Sequence, residues 1–387
     1  MKNNLVIKYN DTLLFFLLGI FCFGGAIGRI YMGLSIFDLL LCITFLRSLL
    51  KNKLSNSTLF FLIILCLGII STLIGVIFTE VRYSYFLTEF RFYFYIPMYC
   101  QVIKNSKFNN ELINKYFRVL LILYLIIYVF LLEPGGFIFQ IFNSIRSDLA
   151  LDFVGRILGP QVIFLSIVFF ITLNSSKKIN TLNTFLYSIL IILIYVKTGE
   201  RTVFLTNILP IAWIIYEKRS IWMLSVIPIL TTVIPLYINE TQIKRFKRIL
   251  NPLDDPAFIY RIENVRVMIL ENMSQSIHSF FWGMGFGSVY KAKVFTHPVE
   301  SYFLDNSFVM LVYKLGIPIA LFFLIYLYSR CWKLNLIQKV YLIIFITIPA
   351  LTSYHLILQP AYILSYFFAI KILNKKKNHN ESYPFVS

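Results

Sequence analysis

From Leu13 to its lysine-rich tail, the chain is a procession of apolar runs, most of them close to the length that crosses a bilayer. A helical span takes about 20 apolar residues. A helix suits that setting because it pairs all its backbone polar groups internally where there is no water. Twelve such runs can be read, near 12–28, 32–50, 58–79, 86–103, 116–133, 157–173, 183–197, 202–216, 220–238, 306–328, 337–354 and 356–372. The fourth holds Glu89 and Arg91, and the last two are almost continuous. Only 14% of the 387 residues are charged, against about 25% in soluble domains. The expected fold class is an all-α polytopic membrane protein with about 12 transmembrane helices. It forms a single transmembrane domain over 1–387, with one long extracytoplasmic loop, 239–305, between spans nine and ten. The first run lacks a small-residue cleavage site, so no cleavable signal peptide is expected.

Charge orients this layout. Basic residues favour cytoplasmic connections. With the N-terminus in the cytoplasm, the cytoplasmic segments hold 20 of the 36 basic residues and four of the 18 acids. The other 16 bases and 14 acids nearly cancel. The net charge of +18 is thus topological sorting, and no nucleic-acid partner is implied. Both termini are expected in the cytoplasm, and the NKKKNHN tail is expected to face anionic membrane lipids. The five cysteines lie in or beside spans, which leaves no disulfide framework in the outer loop.

Eight basic residues stand where sorting disfavours them: Arg29, Arg82, Arg91, Arg146, Arg156, Lys197, Arg201 and Lys314. An ionisable group at membrane depth costs at least about 2.5–3.5 kcal/mol. One reading is neutralisation by sequence neighbours, pairing Glu80 with Arg82, Glu89 with Arg91, Arg146 with Asp148, Asp152 with Arg156, and Glu200 with Arg201. The other is convergence on an anion. Six of the eight are arginine, whose guanidinium grips phosphate bidentately and stays charged when partly dehydrated. Arg156 precedes Gly159 and Pro160 in GRILGP, and Arg201 follows Thr198 and Gly199 in TGERT, where a helix start favours anions.

The long loop carries the remaining polar features. Asp254, Asp255 and Pro256 signal a helix start. Apolar residues then recur at Ile259, Ile262, Val265, Ile269 and Met273, which predicts an amphipathic helix over 257–277 lying on the outer surface. Arg261 sits on it, and Arg266 reads as a solvated or lipid-facing charge. WGMGFGS lacks the strand and third-glycine offset of a dinucleotide fingerprint. It is expected to be a tight turn bringing backbone to the membrane surface. His278 and His297 have no metal-ligand spacing, so no metal or other cofactor is expected. His278 reads as structural. Near the loop's end, His297, Glu300 and Asp305 are candidate general bases.

Several of these segments resemble, in order and orientation, the bacterial O-antigen polymerase and ligase superfamily, which includes the Wzy-type polymerases. SIFDLLL with Asp38 resembles the family's second helix. GRILGP is similar to its Arg-x-x-Gly span, and TGERTVFL to its Thr-Gly-Ser-Arg-Gly segment, with Glu200 where Ser is common. YRIENVRVMI resembles the arginine-bearing loop helix, without its frequent Trp. WGMGFGS is similar to the Gly-x-Gly-x-Gly turn, and DNSFVMLVYKLGIPIALFF to the His-Asn-x-x-Leu helix that closes the loop. Ligases of the superfamily usually carry His before that Asn. Here it is Asp305, which favours a polymerase.

The resemblance implies a metal-independent glycosyltransferase in the bacterial plasma (inner) membrane. Its donor would be a growing glycan on undecaprenyl diphosphate, and its acceptor the non-reducing end of one lipid-linked repeat unit. A chain-length regulator would be a further partner. Arg156, Arg201, Arg261, Arg82 and Arg91 would bind the diphosphate. The base stays open between Asp305, His297 and Glu300. A ligase of the same superfamily, or a transporter or flippase of lipid-linked sugars, are the alternative functions. A transporter would show internal repeats and midplane charges between broken helices; no repeat is visible in the sequence.

Overall fold

The computed structural model describes residues 29–31, 34–51, 53–108, 110–126, 160–175, 181–198, 256–274, 277–294, 297–301, 306–352 and 360–381. Over these residues the chain is mostly helical. A short hairpin, β1 (Arg29–Tyr31) and β2 (Leu34–Ser35), leads into α1 (Ile36–Lys51). Then come α2 (Asn56–Phe78), α3 (Tyr83–Asn105), α4 (Asn110–Leu125), α5 (Pro160–Ser175) and α6 (Thr181–Thr198). The loop contributes α7 (Pro256–Val267), a π-helical turn (Met268–Met273), α8 (Ile277–Phe281) and an antiparallel hairpin, β3 (Tyr290–Val294) and β4 (His297–Ser301). The chain closes with α9 (Ser307–Ser329), α10 (Leu336–Thr352) and α11 (Pro360–Glu381).

Nine of the expected spans overlap described helices; 12–28, 202–216 and 220–238 lie outside the described residues. Among the described residues two helices, α2 and α9, are long and apolar enough to cross a membrane. Shorter apolar helical stretches run through Phe164–Leu173, Leu336–Leu351 and Tyr362–Asn374. α11 continues past the expected end at 372 through the lysine-rich segment, where no proline or glycine stops it.

The faces of α2 are reversed relative to a water-soluble helix. Its buried face carries Thr58, Gly68, Ser71, Thr72 and Gly75 among a few larger side chains. Its outer face exposes Leu59, Ile63, Leu73, Val76 and Ile77. α9 likewise exposes Leu321, Phe322 and Ile325. Small and hydroxylic residues turned inward, with large apolar ones outward, are what helices packed in lipid show. The inner stripe of α2 lets a neighbour approach its backbone, and that neighbour is the glycine-rich loop. Elsewhere α2 packs on α3 and α9, α3 on α1 and α11, and α5 on α4 and α11. Aromatic contacts tie α2 to α9, with Phe60 stacked on Tyr326 at 3.9 Å between ring centres.

The loop helix differs from its expected form. The helical turns end at Val267, and the π turn follows, marked by the Ser274 N–H donating to the Ile269 carbonyl (3.2 Å). The wider turn keeps both Met268 and Met273 buried, and Asn264 and Val267 are buried with them. Ile259, Ile262 and Ile269 face outward, 53%, 51% and 40% exposed. The expected apolar stripe is therefore split: Ile259, Ile262 and Ile269 face outward, while Val265 packs against the core and Met273 is buried, and the helix contacts β3.

Candidate functional site

The loop is fastened to the helices by a break that the sequence KLGIP writes into α9. Pro318 has no N–H, so the Lys314 carbonyl four residues earlier loses its helical donor. Gly316 sits at φ 78°, a left-handed conformation that a side chain disfavours, and interrupts the ladder at the same point. Two freed carbonyls point at the loop. Lys314 O accepts from Gly285 N–H at 3.0 Å, and Tyr313 O accepts from Met284 N–H at 2.7 Å. On the other side, Thr72 on α2 accepts from Phe286 N–H (2.8 Å) while donating to the Gly68 carbonyl (2.8 Å). Gly285, at φ 79°, lies so close to the Thr72 backbone that a Cβ there would overlap it. Gly75 and Gly68 give the matching space for Met284 and Phe286. The turn expected at the membrane surface is thus buried within the helix bundle, since its N–H groups find partners there.

A buried ion pair completes the lock. Lys314 Nζ lies 3.0 Å from Glu89 Oε1, and both side chains are almost fully enclosed. Lys314 also donates to the Ser288 carbonyl at 2.7 Å, and Glu89 Oε2 accepts from Gly287 N–H at 2.6 Å. Burying two charges costs roughly several kcal/mol each, and the pair repays this only when the remaining lone pairs and protons are also satisfied. Here the loop backbone supplies one partner to each member, the Ser288 carbonyl to the ammonium and the Gly287 N–H to the carboxylate. Charge burial in α3 and α9 and the shape of the glycine turn therefore depend on each other. The Tyr313 hydroxyl donates to the Val289 carbonyl (3.1 Å) and extends the same contact.

The loop then runs beside the α2–α3 connection. Arg82 N–H donates to the Gly287 carbonyl (3.0 Å) and Val289 N–H to the Glu80 carbonyl (3.1 Å), a two-rung ladder that leads into β3. Arg82 caps the start of α3 at this end of the bundle. Its Nε lies 2.8 Å from Glu80 Oε1, as the sequence pairing anticipated, with the side chains 39% and 60% exposed. An exposed pair of this kind holds by about 0–1 kcal/mol. A doubly charged anion could displace Glu80 from it.

The pairing of Glu89 with Arg91 is not observed. Arg91 instead lies with Nη1 3.7 Å from Oδ2 of Asp38, which is buried in the first turn of α1. Arg91 is nine residues beyond Arg82 on α3, about 13 Å further along the helix axis at 1.5 Å per residue. Its ion pair turns it toward α1, whereas Glu89 and Tyr93 on the same helix reach the loop at Gly287 and Phe286. Arg261 is half-buried on α7, the helix that packs on β3. Arg266 is exposed and 3.5 Å from Glu263. His297 and Glu300 lie on β4 at positions of opposite parity, three residues apart, with Glu300 in register with Lys291 and His297 with Val294. His278 lies in α8 and stacks on Phe78 at 5.0 Å. Arg156, Arg201 and Asp305 lie outside the described residues. Asn306, next to Asp305, is the N-cap of α9, its Oδ1 accepting from Phe308 and Val309 N–H at 3.1 Å each.

The structure thus gathers Arg82, α7 with Arg261, and the hairpin with His297 and Glu300 around one end of the bundle. Sequence reasoning missed the Glu89–Lys314 and Asp38–Arg91 pairs because it matched charges by chain proximity. Depth was the better signal: Glu89 is the seventh residue of α3 and Lys314 the eighth of α9, and both helices start at this end. The β3 strand was missed as well, although YKAKV alternates apolar and polar. No family model matches the chain, and no curated protein matches it, so the family resemblance rests on the motifs themselves.

Proposed function

We propose that the chain is a polytopic protein of the bacterial plasma membrane, with about twelve spans, cytoplasmic termini and the 239–305 segment outside. We further propose that it is a repeat-unit polymerase of the O-antigen polymerase type. The donor is a glycan on undecaprenyl diphosphate and the acceptor a lipid-linked repeat unit. A base drawn from Asp305, His297 and Glu300 takes the proton of an acceptor hydroxyl. That oxygen bonds to the anomeric carbon as the bond from this carbon to the diphosphate oxygen breaks. The lipid diphosphate leaves with the electron pair, held by arginines drawn from Arg82, Arg156, Arg201 and Arg261. Arg91, facing Asp38, fits better as a residue that holds α1 against α3.

The observation that carries this reading is the loop's attachment. A segment bearing an arginine helix and candidate bases is fixed to long apolar helices at one end, beside an exposed arginine. That is the level at which a lipid-linked diphosphate would be presented. The outward isoleucines of α7 suit a helix resting on the lipid surface. The test is reconstitution with purified lipid-linked repeat units and a chelator. A ladder of products supports the polymerase, and no elongation with folded protein rejects it. Within that assay, Arg156→Ala, Arg201→Ala and Arg261→Ala should each abolish long chains, since losing one such contact costs about 10²–10³ in rate. Normal ladders in all three would reject the arginine assignment.

A second reading, transport of lipid-linked sugars, draws on the buried Lys314–Glu89 pair and the break at Gly316, both of which transporter cores use. Against it, the pair lies about 10–12 Å from the helix starts, a third of the way along 23-residue helices. Its groups are also satisfied by loop backbone rather than facing a path. Movement of repeat units across vesicles without elongation would select the transporter.

A further inference from the structure

At the end of the bundle away from the glycine loop, a cavity of about 590 Å³ opens between the N-terminus of α2, the C-terminal turns of α3 and α9, and the middle of α11. Along α2 it lies about 18 Å from Gly68, the glycine that meets Phe286 of the loop, at 1.5 Å per residue. Its size falls within the about 300–1,000 Å³ of small-molecule sites. Among the described residues, four cations line it, Lys104, Lys107, Arg330 and Lys371, and no acidic residue does. They come from three different helical segments, so sequence neighbourhood does not explain their convergence.

The walls are built rather than incidental. Gln101, fully buried on α3, accepts from Ser55 N–H (2.9 Å) and the Thr58 hydroxyl (3.0 Å) and donates to the Lys53 carbonyl (3.3 Å). This fixes the first turn of α2, whose Asn56 and Ser57 border the cavity. Lys371 Nζ donates to the Lys104 carbonyl (2.9 Å), which ties α11 to the end of α3. Arg330 lies over the Tyr326 ring at 5.7 Å, and that tyrosine in turn donates to Ser57 (2.7 Å). A guanidinium held on a ring keeps its fork of N–H donors oriented. The floor is apolar, with Ile103, Phe108 and Phe367. Cations at the rim, a helix N-terminus and an apolar floor together match a phosphate with a hydrophobic extension.

We propose that this cavity binds a phosphate-bearing anion, gripped by Lys104 and Arg330. An anionic phospholipid headgroup and free phosphate are the two sources of that chemistry. The site is independent of the glycosyl-transfer reading, because it lies at the other end of the helices and uses none of the same residues.

The experiment uses the full-length protein purified in mixed phosphatidylcholine and phosphatidylglycerol micelles, with retained lipid counted by native mass spectrometry. Wild type should keep one phosphatidylglycerol in preference to phosphatidylcholine. The K104Q/R330Q pair should reduce that retention at least several-fold, and K104R/R330K should restore it. K333Q/K339Q removes basic residues that do not line the cavity and should leave retention unchanged. Melting in phosphatidylcholine alone checks that each variant is folded; if K104Q/R330Q fails this check, R330Q alone is read in its place. Displacement of the lipid by inorganic phosphate, or stabilisation by phosphate alone, supports a site for the free anion. Retention that phosphate does not compete supports the headgroup. Equal retention in wild type and K104Q/R330Q, equal loss in K333Q/K339Q, or binding of neither probe overturns the proposal.

Discussion

At its loop-bearing end the α2–α3–α9 bundle is closed, and at the other end it is open. The same three helices run through both regions. At the closed end Lys314 and Glu89 are enclosed, and loop backbone occupies the space between the helices. At the open end Lys104 and Arg330 stay exposed and a cavity remains. The difference lies in what satisfies the polar groups. A buried charge needs fixed partners, and only a chain segment entering the bundle can supply backbone partners to both members of the pair. Charges at the rim keep their water, need no such plug and leave room for a ligand.

The comparison breaks most readily at the ion pair. Lys314→Met should destabilise the protein by about 3–5 kcal/mol, because Glu89 would be left charged and unpaired. Adding Glu89→Gln should recover much of that loss. Thermal melting in detergent measures both, and a Lys314→Met protein that melts like wild type would show that the pair does not hold the loop. The glycine turn comes next. Gly285→Ala combines a disfavoured φ, about 1–3 kcal/mol, with overlap on the Thr72 backbone. It should also expose the loop to limited proteolysis between α8 and β3, whereas an unchanged digest would mean the turn can leave the bundle without cost. At the open end, Gln101→Leu strands the Ser55 N–H and the Lys53 carbonyl and should cost about 1–3 kcal/mol, with faster amide exchange confined to the start of α2. If exchange instead rises around 283–289, the two ends are coupled and the contrast between them fails. Smallest of all, Arg82→Gln removes an exposed pair and should change the melting free energy by about 0–1 kcal/mol. Under the polymerase reading it should nonetheless lower elongation, which separates a binding arginine from a structural one.

The helices were legible in the chain because a run of apolar residues is a local property. Asn56–Phe78 and Ser307–Ser329 fall within two residues of the runs at 58–79 and 306–328. The Glu80–Arg82 pair was legible for the same reason, being two residues apart. Partners far apart in the chain were not. Asp38 meets Arg91 and Glu89 meets Lys314, pairings that depend on which helices are neighbours and at what depth. Arg156, Arg201 and Asp305, three of the candidate site residues, lie outside the described residues, so the site's legibility rests on Arg82, Arg91, Arg261, His297 and Glu300.

By itself, the sequence determined where the long apolar helices form and that a long polar segment interrupts the apolar runs; the break in α9 also has a local cause, Gly316 and Pro318, though 306–328 was read as one span. Hydropathy, a missing proline N–H and glycine's freedom at φ 78° act within a few residues and need no fold. Only the tertiary structure decided that the glycine turn enters the bundle instead of resting on its surface. That choice depends on three elements meeting at once: the small-residue stripe of α2, the freed carbonyls of α9 and the buried carboxylate of α3. Each leaves backbone or charge unsatisfied alone, and hydrogen-bond partners for all of them exist only when the chain has folded.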